Sequence, residues 1–193
     1  MYMNLMLFAC ILLLGDKLIG GPALIVIDRP RIQEIALASI ISQHPDLTTN
    51  KLAFASILFN SPVGTQGSIM VVYTDLAGNV ENASVLQTKP PLMKMDFHRI
   101  EDIAINAITN KQPSVKSDSL AFAGLIYELQ SNNSDYIEIA YARNDASGHI
   151  LKSSITNSTG MITTTKLTLN VRMSNLGAVE EVSAGSVVDY GLK

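Results

Sequence analysis

Apolar residues fall along this chain in two spacings. In the stretch Ile32, Ile35, Ala36, Ser39, Ile40 they recur at i, i+3, i+4, i+7 and i+8, and Ile100, Ile103, Ala104, Ala107, Ile108 repeat the series. That spacing predicts two amphipathic helices, each with one buried face. Each is preceded by a short apolar strand, ALIVI over 23–27 and LMKM over 92–95. Asp28 and Asp96 stand at the N-cap positions. Pro45 and Pro113 end the helices, because the residue before a proline avoids helical backbone. The apolar runs around Leu52-Ala53-Phe54-Ala55 and Leu120-Ala121-Phe122-Ala123 read as a second helix in each half, over 48–59 and 118–129. Strands follow at 68–74 and 136–142, the latter with clean alternation of Ile137, Ile139 and Tyr141 against Glu138 and Ala140. Each then enters a glycine-bearing turn, at Gly78 or Gly148, and a return strand.

These series are one pattern met twice. Shifting the chain by 68 positions aligns 25–75 with 93–143 without a gap, and 13 of the 51 pairs are identical. Asp28/Asp96, Arg31/Arg99, Pro45/Pro113, Phe54/Phe122 and Tyr73/Tyr141 are among them. Such fixed-period self-similarity signals repeated architecture. The expected fold is α+β: a tandem duplication of a β-α-α-β-β unit, packed about a pseudo-twofold, plus a C-terminal β-hairpin tail. The expected segments are an apolar anchor or signal over 1–22, one copy over 23–89, a second over 90–157, and a strand-rich tail over 158–193. A unit of about 65 residues is near the lower limit for independent folding, so the copies should share one core. In the tail, Leu167, Leu169 and Val171 share one face of a strand over 163–173, and Asn175-Leu176-Gly177 forms a turn. The tail should add a hairpin to the sheet or cap an edge.

The segment 1–22 is a separate matter. Leu5 to Leu14 is an uninterrupted apolar run, followed by Asp16 and Lys17. As a helix it spans roughly 15 Å, about half a bilayer core. Three readings are open: an uncleaved membrane anchor, a cleaved export signal, and a buried first element. The first two place the protein at a membrane or direct its export. The chain's one cysteine, Cys10, lies inside the run, so the remainder is thiol-free and tolerates an oxidising compartment. Asn82, Asn132 and Asn157 begin N-x-[ST] triplets.

Composition narrows function by exclusion. A net charge of −3 offers no basic field for a nucleic-acid backbone. One cysteine leaves no disulfide framework or cysteine-based zinc site. His44, His98 and His149 stand alone in sequence, each matched in the other copy by a residue that is not histidine, so no metal site is expected. No phosphate-cradling glycine loop, nucleophile elbow or zinc-protease motif occurs. Asp28 and Asp96 are the acids that both copies keep. Read as chemistry, they are a carboxylate pair for acid–base work. Read as structure, they are helix caps with Arg31 and Arg99 as local partners, which explains position, spacing and recurrence together. Tyr73 and Tyr141 read as half-buried packing residues. No catalytic, cofactor-binding or metal-binding residues are assigned.

One copy behind its apolar leader resembles the TrbI-type proteins of F-type conjugative transfer systems. The resemblance rests on Val26-Ile27-Asp28, the helical region reaching Phe59, Ile69-Met70-Val71-Val72 and the turn Gly78-Asn79-Val80. It covers about a third of the chain; the doubling and the strand-rich tail are additions to that pattern. It implies one N-terminal helix in the inner membrane, with the rest of the chain facing the periplasm, and a role in assembling a pilus or secretion channel without catalysis. The expected function is therefore a non-enzymatic, membrane-tethered or exported assembly protein. Its partners would be other proteins, including copies of itself, with the membrane met through residues 1–22. No nucleic acid, cofactor or small-molecule ligand is expected. A virion or pilus structural subunit, and a small hydrolase with its site between the copies, are the alternatives.

Overall fold

The computed structural model describes residues 21–62, 67–145, 147, 149–156 and 162–188. The leader expected over 1–22 falls almost wholly outside them, as do Gly148 and Asn157. Among the described residues no helix is long and apolar enough to cross a membrane.

The fold is α+β, with two helices and a large antiparallel sheet among the described residues. The first half runs β1 (Ile25–Ile27), α1 (Arg29–Gln43), β2 (Leu52–Pro62), β3 (Ser68–Asp75), β4 (Val80–Val85). The second runs β5 (Met93–Met95), α2 (Phe97–Lys111), β6 (Leu120–Gln130), β7 (Asp135–Arg143), β8 (Lys152–Thr156). β9 (Ile162–Met173) and β10 (Val179–Val188) close the chain as a hairpin. The main sheet has the order β10-β9-β7-β6-β2-β3-β4, with β8 paired to the far end of β9. β1 and β5 form a separate two-stranded ribbon.

The helices form as the spacing predicts. Ile32, Ala36 and Ile40 on α1, and Ile100, Ala104 and Ile108 on α2, are buried. Asp28 accepts from the Arg31 amide at 3.2 Å and Asp96 from the Arg99 amide at 3.3 Å, so both caps are made. The arginine side chains turn elsewhere: Arg31 pairs with Glu34 at 2.6 Å, and Arg99 donates to the Pro22 carbonyl at 2.6 Å. The aspartates' partners are thus amides, not guanidinium groups. Because β1 and β5 run antiparallel, the two caps stand at opposite ends of the ribbon.

The second helix of each half is absent. Its place is taken by a single 3₁₀ turn, Thr49–Lys51 or Ser117–Ser119, and then by the strands β2 and β6. Each half therefore runs β-α-β-β-β in place of the expected β-α-α-β-β. An unbroken apolar run of this length fits a buried strand as well as a helix, and periodicity alone does not separate them. Ile57 and Phe59 are buried while Asn60 is exposed; Leu125, Tyr127 and Leu129 alternate with Gly124, Ile126 and Glu128. A bulge between Phe54 and Ser56, matched between Phe122 and Gly124, resets the phase and disguises the alternation.

β1, α1 and β2 recur as β5, α2 and β6 at the same shift of 68 that aligns the two halves of the sequence, and β3 recurs as β7 with its start one residue earlier. The junction of the halves has the same regularity. β2 pairs antiparallel with β6 so that Phe59 faces Tyr127, its own counterpart under the shift, with Ser56 facing Gln130 and Pro62 facing Gly124. In the ribbon Val26 faces Lys94, again its counterpart. Both pairings map onto themselves when each residue is exchanged for its counterpart in the other half.

The halves differ at their outer strands. In the first, β4 returns onto β3, pairing Tyr73 with Glu81 and Ile69 with Val85. In the second, β9 takes that position, pairing Tyr141 with Leu169 and Ile137 with Met173, while β8 pairs with β9 instead of β7. The C-terminal hairpin therefore adds to the sheet at the β7 edge, one of the two placements expected of it. Its turn needs Gly177, whose φ of +89° disfavours a side chain and where a Cβ would stand 2.9 Å from Ile103 Cδ1.

One core holds both halves. The inner sheet face, α1, α2 and the ribbon residues Leu24, Ile25, Leu92 and Met93 belong to a single buried cluster. Tyr73 and Tyr141, expected as half-buried, are 3% and 2% exposed. A shared packing detail marks the halves: Phe54 meets Tyr73 edge-on at 5.9 Å, and Phe122 meets Tyr141 at 6.4 Å. Arg29 lies over the Phe54 ring at 4.5 Å, and Phe97, its counterpart, meets Phe122 at 5.3 Å.

A shared core predicts one cooperative unfolding transition. Ile57→Ala and Leu125→Ala, counterparts each 1% exposed, should each cost about 2–5 kcal/mol in urea denaturation. Asp28→Ala and Asp96→Ala should each cost about 1 kcal/mol, additively because the caps are far apart.

Candidate functional site

The helices and ribbon cover one face of the sheet; the opposite face carries no described helix. Strand pairing arranges the side chains of this outer face in rows. Met70, Leu58, Glu128 and Tyr136 form one row across β3, β2, β6 and β7. Asn60, Ile126, Glu138 and Arg172 form the next, across β2, β6, β7 and β9. The face therefore has an apolar part around Leu58, Met70, Val72 and Ile126, with Met70 36% and Ile126 39% exposed. Beside it runs a polar track.

That track is internally bonded. The Tyr136 hydroxyl donates to Glu128 Oε2 at 2.6 Å. Arg172 lies over the Tyr136 ring at 3.8 Å and reaches Glu180 Oε2 at 3.2 Å. Asn170 donates to Glu138 Oε1 at 2.9 Å and accepts from the Thr168 hydroxyl at 2.9 Å. The bond to the Glu128 carboxylate, with burial second, pushes the Tyr136 phenol up to about 12. These contacts hold the polar side chains in a defined pattern on the sheet surface.

The residues singled out from sequence lie elsewhere. Asp28 and Asp96 are helix caps at separate places. His44 is half-exposed with Nε2 3.5 Å from Glu81 Oε2. His149 is well exposed, with Nδ1 3.8 Å from Asp145 Oδ1. His98 is exposed. No three potential metal ligands cluster among the described residues. Asn82 is exposed on β4, and Asn132 is exposed in the β6–β7 turn, where its side chain accepts from Ser134.

A second polar cluster is structural. Asn175 of the β9–β10 turn donates to the Ile25 carbonyl at 2.8 Å and accepts from the Ile25 amide at 2.7 Å, acting as an extra strand residue for β1. The Asn175 side-chain amide also reaches Asp135 Oδ2 at 2.9 Å, which accepts in addition from the buried Tyr127 hydroxyl at 3.1 Å. Burial, then the Asp135 charge, holds the Tyr127 phenol well above its ordinary range. This cluster ties the ribbon to the C-terminal hairpin.

Leu58, Ile126 and Glu128 were hidden from sequence reasoning because their strands read as helices. Glu138 and Ala140 were visible as the outward set of β7, and extending that phase to β6 and β9 would have found the rest. No protein-family model matches the chain, and neither a curated protein nor a solved structure does.

The Tyr136–Glu128 bond gives a pH signature. The fold favours the neutral phenol, so this contribution is present below about pH 10 and fades as pH rises toward 12. In NMR titration of the labelled Tyr136 ring, Glu128→Gln should lower the midpoint toward about 10, the ordinary tyrosine value.

Proposed function

We propose that the protein is a non-enzymatic assembly protein that binds another protein on the outer face of its sheet. The observation that carries this reading is the open apolar area around Leu58, Met70, Val72 and Ile126, set beside the fixed Tyr136–Glu128–Arg172 track. A rigid surface of mixed apolar and aromatic-polar character is suited to recognition. The reading includes a tandem duplication: two β-α-β-β-β copies joined about a pseudo-twofold through β2 and β6. The periodic recurrence of element bounds and the self-mapping registers support it.

It also includes location and setting. Residues 1–22 tether the protein to the inner membrane or direct its export, so the sheet faces the periplasm or the exterior. The apolar run Leu5 to Leu14 supports this. The resemblance to TrbI-type proteins supports a place in a conjugative pilus or secretion apparatus.

A photo-crosslinking residue at Met70 or Ile126 should yield one discrete adduct in the native host, and the same probe at Leu76, 84% exposed in a turn, should not. Met70→Glu should abolish the Ile126 adduct without shifting the urea midpoint, because the side chain is exposed. Equal labelling at all three positions, or recovery of the protein in the soluble cytosol, contradicts the reading.

A further inference from the structure

The main sheet ends in two edges that are guarded differently. β4 is six residues long, packs under α1, and has the Glu81 carboxylate beside His44. β10 is ten residues long and, among the described residues, pairs with β9 alone. Among the described residues, only its first part is protected. The register breaks at Glu180, Glu181 follows, and Lys111 donates to the Val182 carbonyl at 2.5 Å. From Ser183 to Val188 there is no charge, proline or bulge. Ala184 and Ser186 are exposed. Soluble proteins guard long edges with such devices because an open row of amides and carbonyls recruits another strand.

We propose that the Ser183–Val188 edge binds a second copy of this chain, antiparallel about a two-fold axis, so that the two sheets become continuous. This edge is self-complementary. It has no charge to repel its own copy, and its Ser-Ala-Gly-Ser stretch offers little bulk against close approach. A basic or acidic foreign strand finds no countercharge there. The chain already joins its own halves in this way, edge to edge through β2 and β6 with self-mapping register. Six residues span roughly 20 Å of edge, less contact than a standard interface of about 1,600 Å². Dimerisation is therefore concentration-dependent and favoured where chains are held close together. The proposal deepens the assembly reading and rests on it for purpose only.

The test uses the full chain with Cys10→Ser and single cysteines introduced on each edge. Under oxidation in the expressing cell, Ala184→Cys or Ser186→Cys should give a covalent species of twice the single-chain mass. Asn82→Cys and Ser84→Cys on β4 should not. Adding Ala184→Lys to the Ser186→Cys chain should cut the dimer at least tenfold with the urea midpoint unchanged; Ser186→Lys with Ala184→Cys repeats the test should the first variant fold poorly. No dimer from either β10 cysteine, equal dimer from β4, or a dimer indifferent to both lysines overturns the proposal. Because none of these variants touches Met70 or Ile126, partner adducts on the outer face can succeed or fail independently.

Discussion

The antiparallel pairing of β2 with β6 is the contact on which the rest depends. The first half has a three-stranded sheet, β2-β3-β4, with one helix; the second has β6 and β7 with one helix, and takes β9 as its third strand. Joining the edges places Phe59 against Tyr127 at the centre and brings Ile57 and Leu125 into one continuous inner face. The ribbon of β1 and β5 makes a second junction on the helix side, with Leu24 and Ile25 packed into the same core. Asn175 then fastens that ribbon to the C-terminal hairpin. Two junctions on opposite sides of one core explain why neither half has a separate hydrophobic interior.

The same geometry leaves a functional remainder. Two helices and a ribbon cover one face of a wide sheet, and nothing described covers the other. Fixing Tyr136 by Glu128 and stacking Arg172 on its ring keep polar groups ordered on that face, while Met70 and Ile126 stay accessible. The second half departs from the first where β9 displaces the expected return strand. That substitution extends the sheet by β10 and creates its longer, less guarded edge. In the assembly reading, the outer face meets a partner and the edge meets another copy.

Much of this was readable from residue spacing. The two helices α1 and α2, their aspartate caps, their proline stops and the C-terminal hairpin follow from local signals strong enough to survive in isolation. The error at β2 and β6 has a definite physical source. These strands lie at the sheet centre, and Leu58 and Ile126 add apolar residues on the outer face, so the run lacks the apolar–polar alternation of a half-buried strand. The bulge after Phe54 and Phe122 further hides the phase. Misreading these strands concealed the outer face, since a helix has no second sheet surface to offer. The exchange of β8 for β9 beside β7 depends on long-range competition between strands, which no local pattern encodes.

Native-state hydrogen exchange on the full chain tests the central claim most directly. If the β2–β6 junction unites one core, amides of β2, β3, β6 and β7 should share the slowest exchange and open together with the global unfolding free energy. Exchange of one half's strands through a separate, cheaper opening, with the other half still protected, would contradict it.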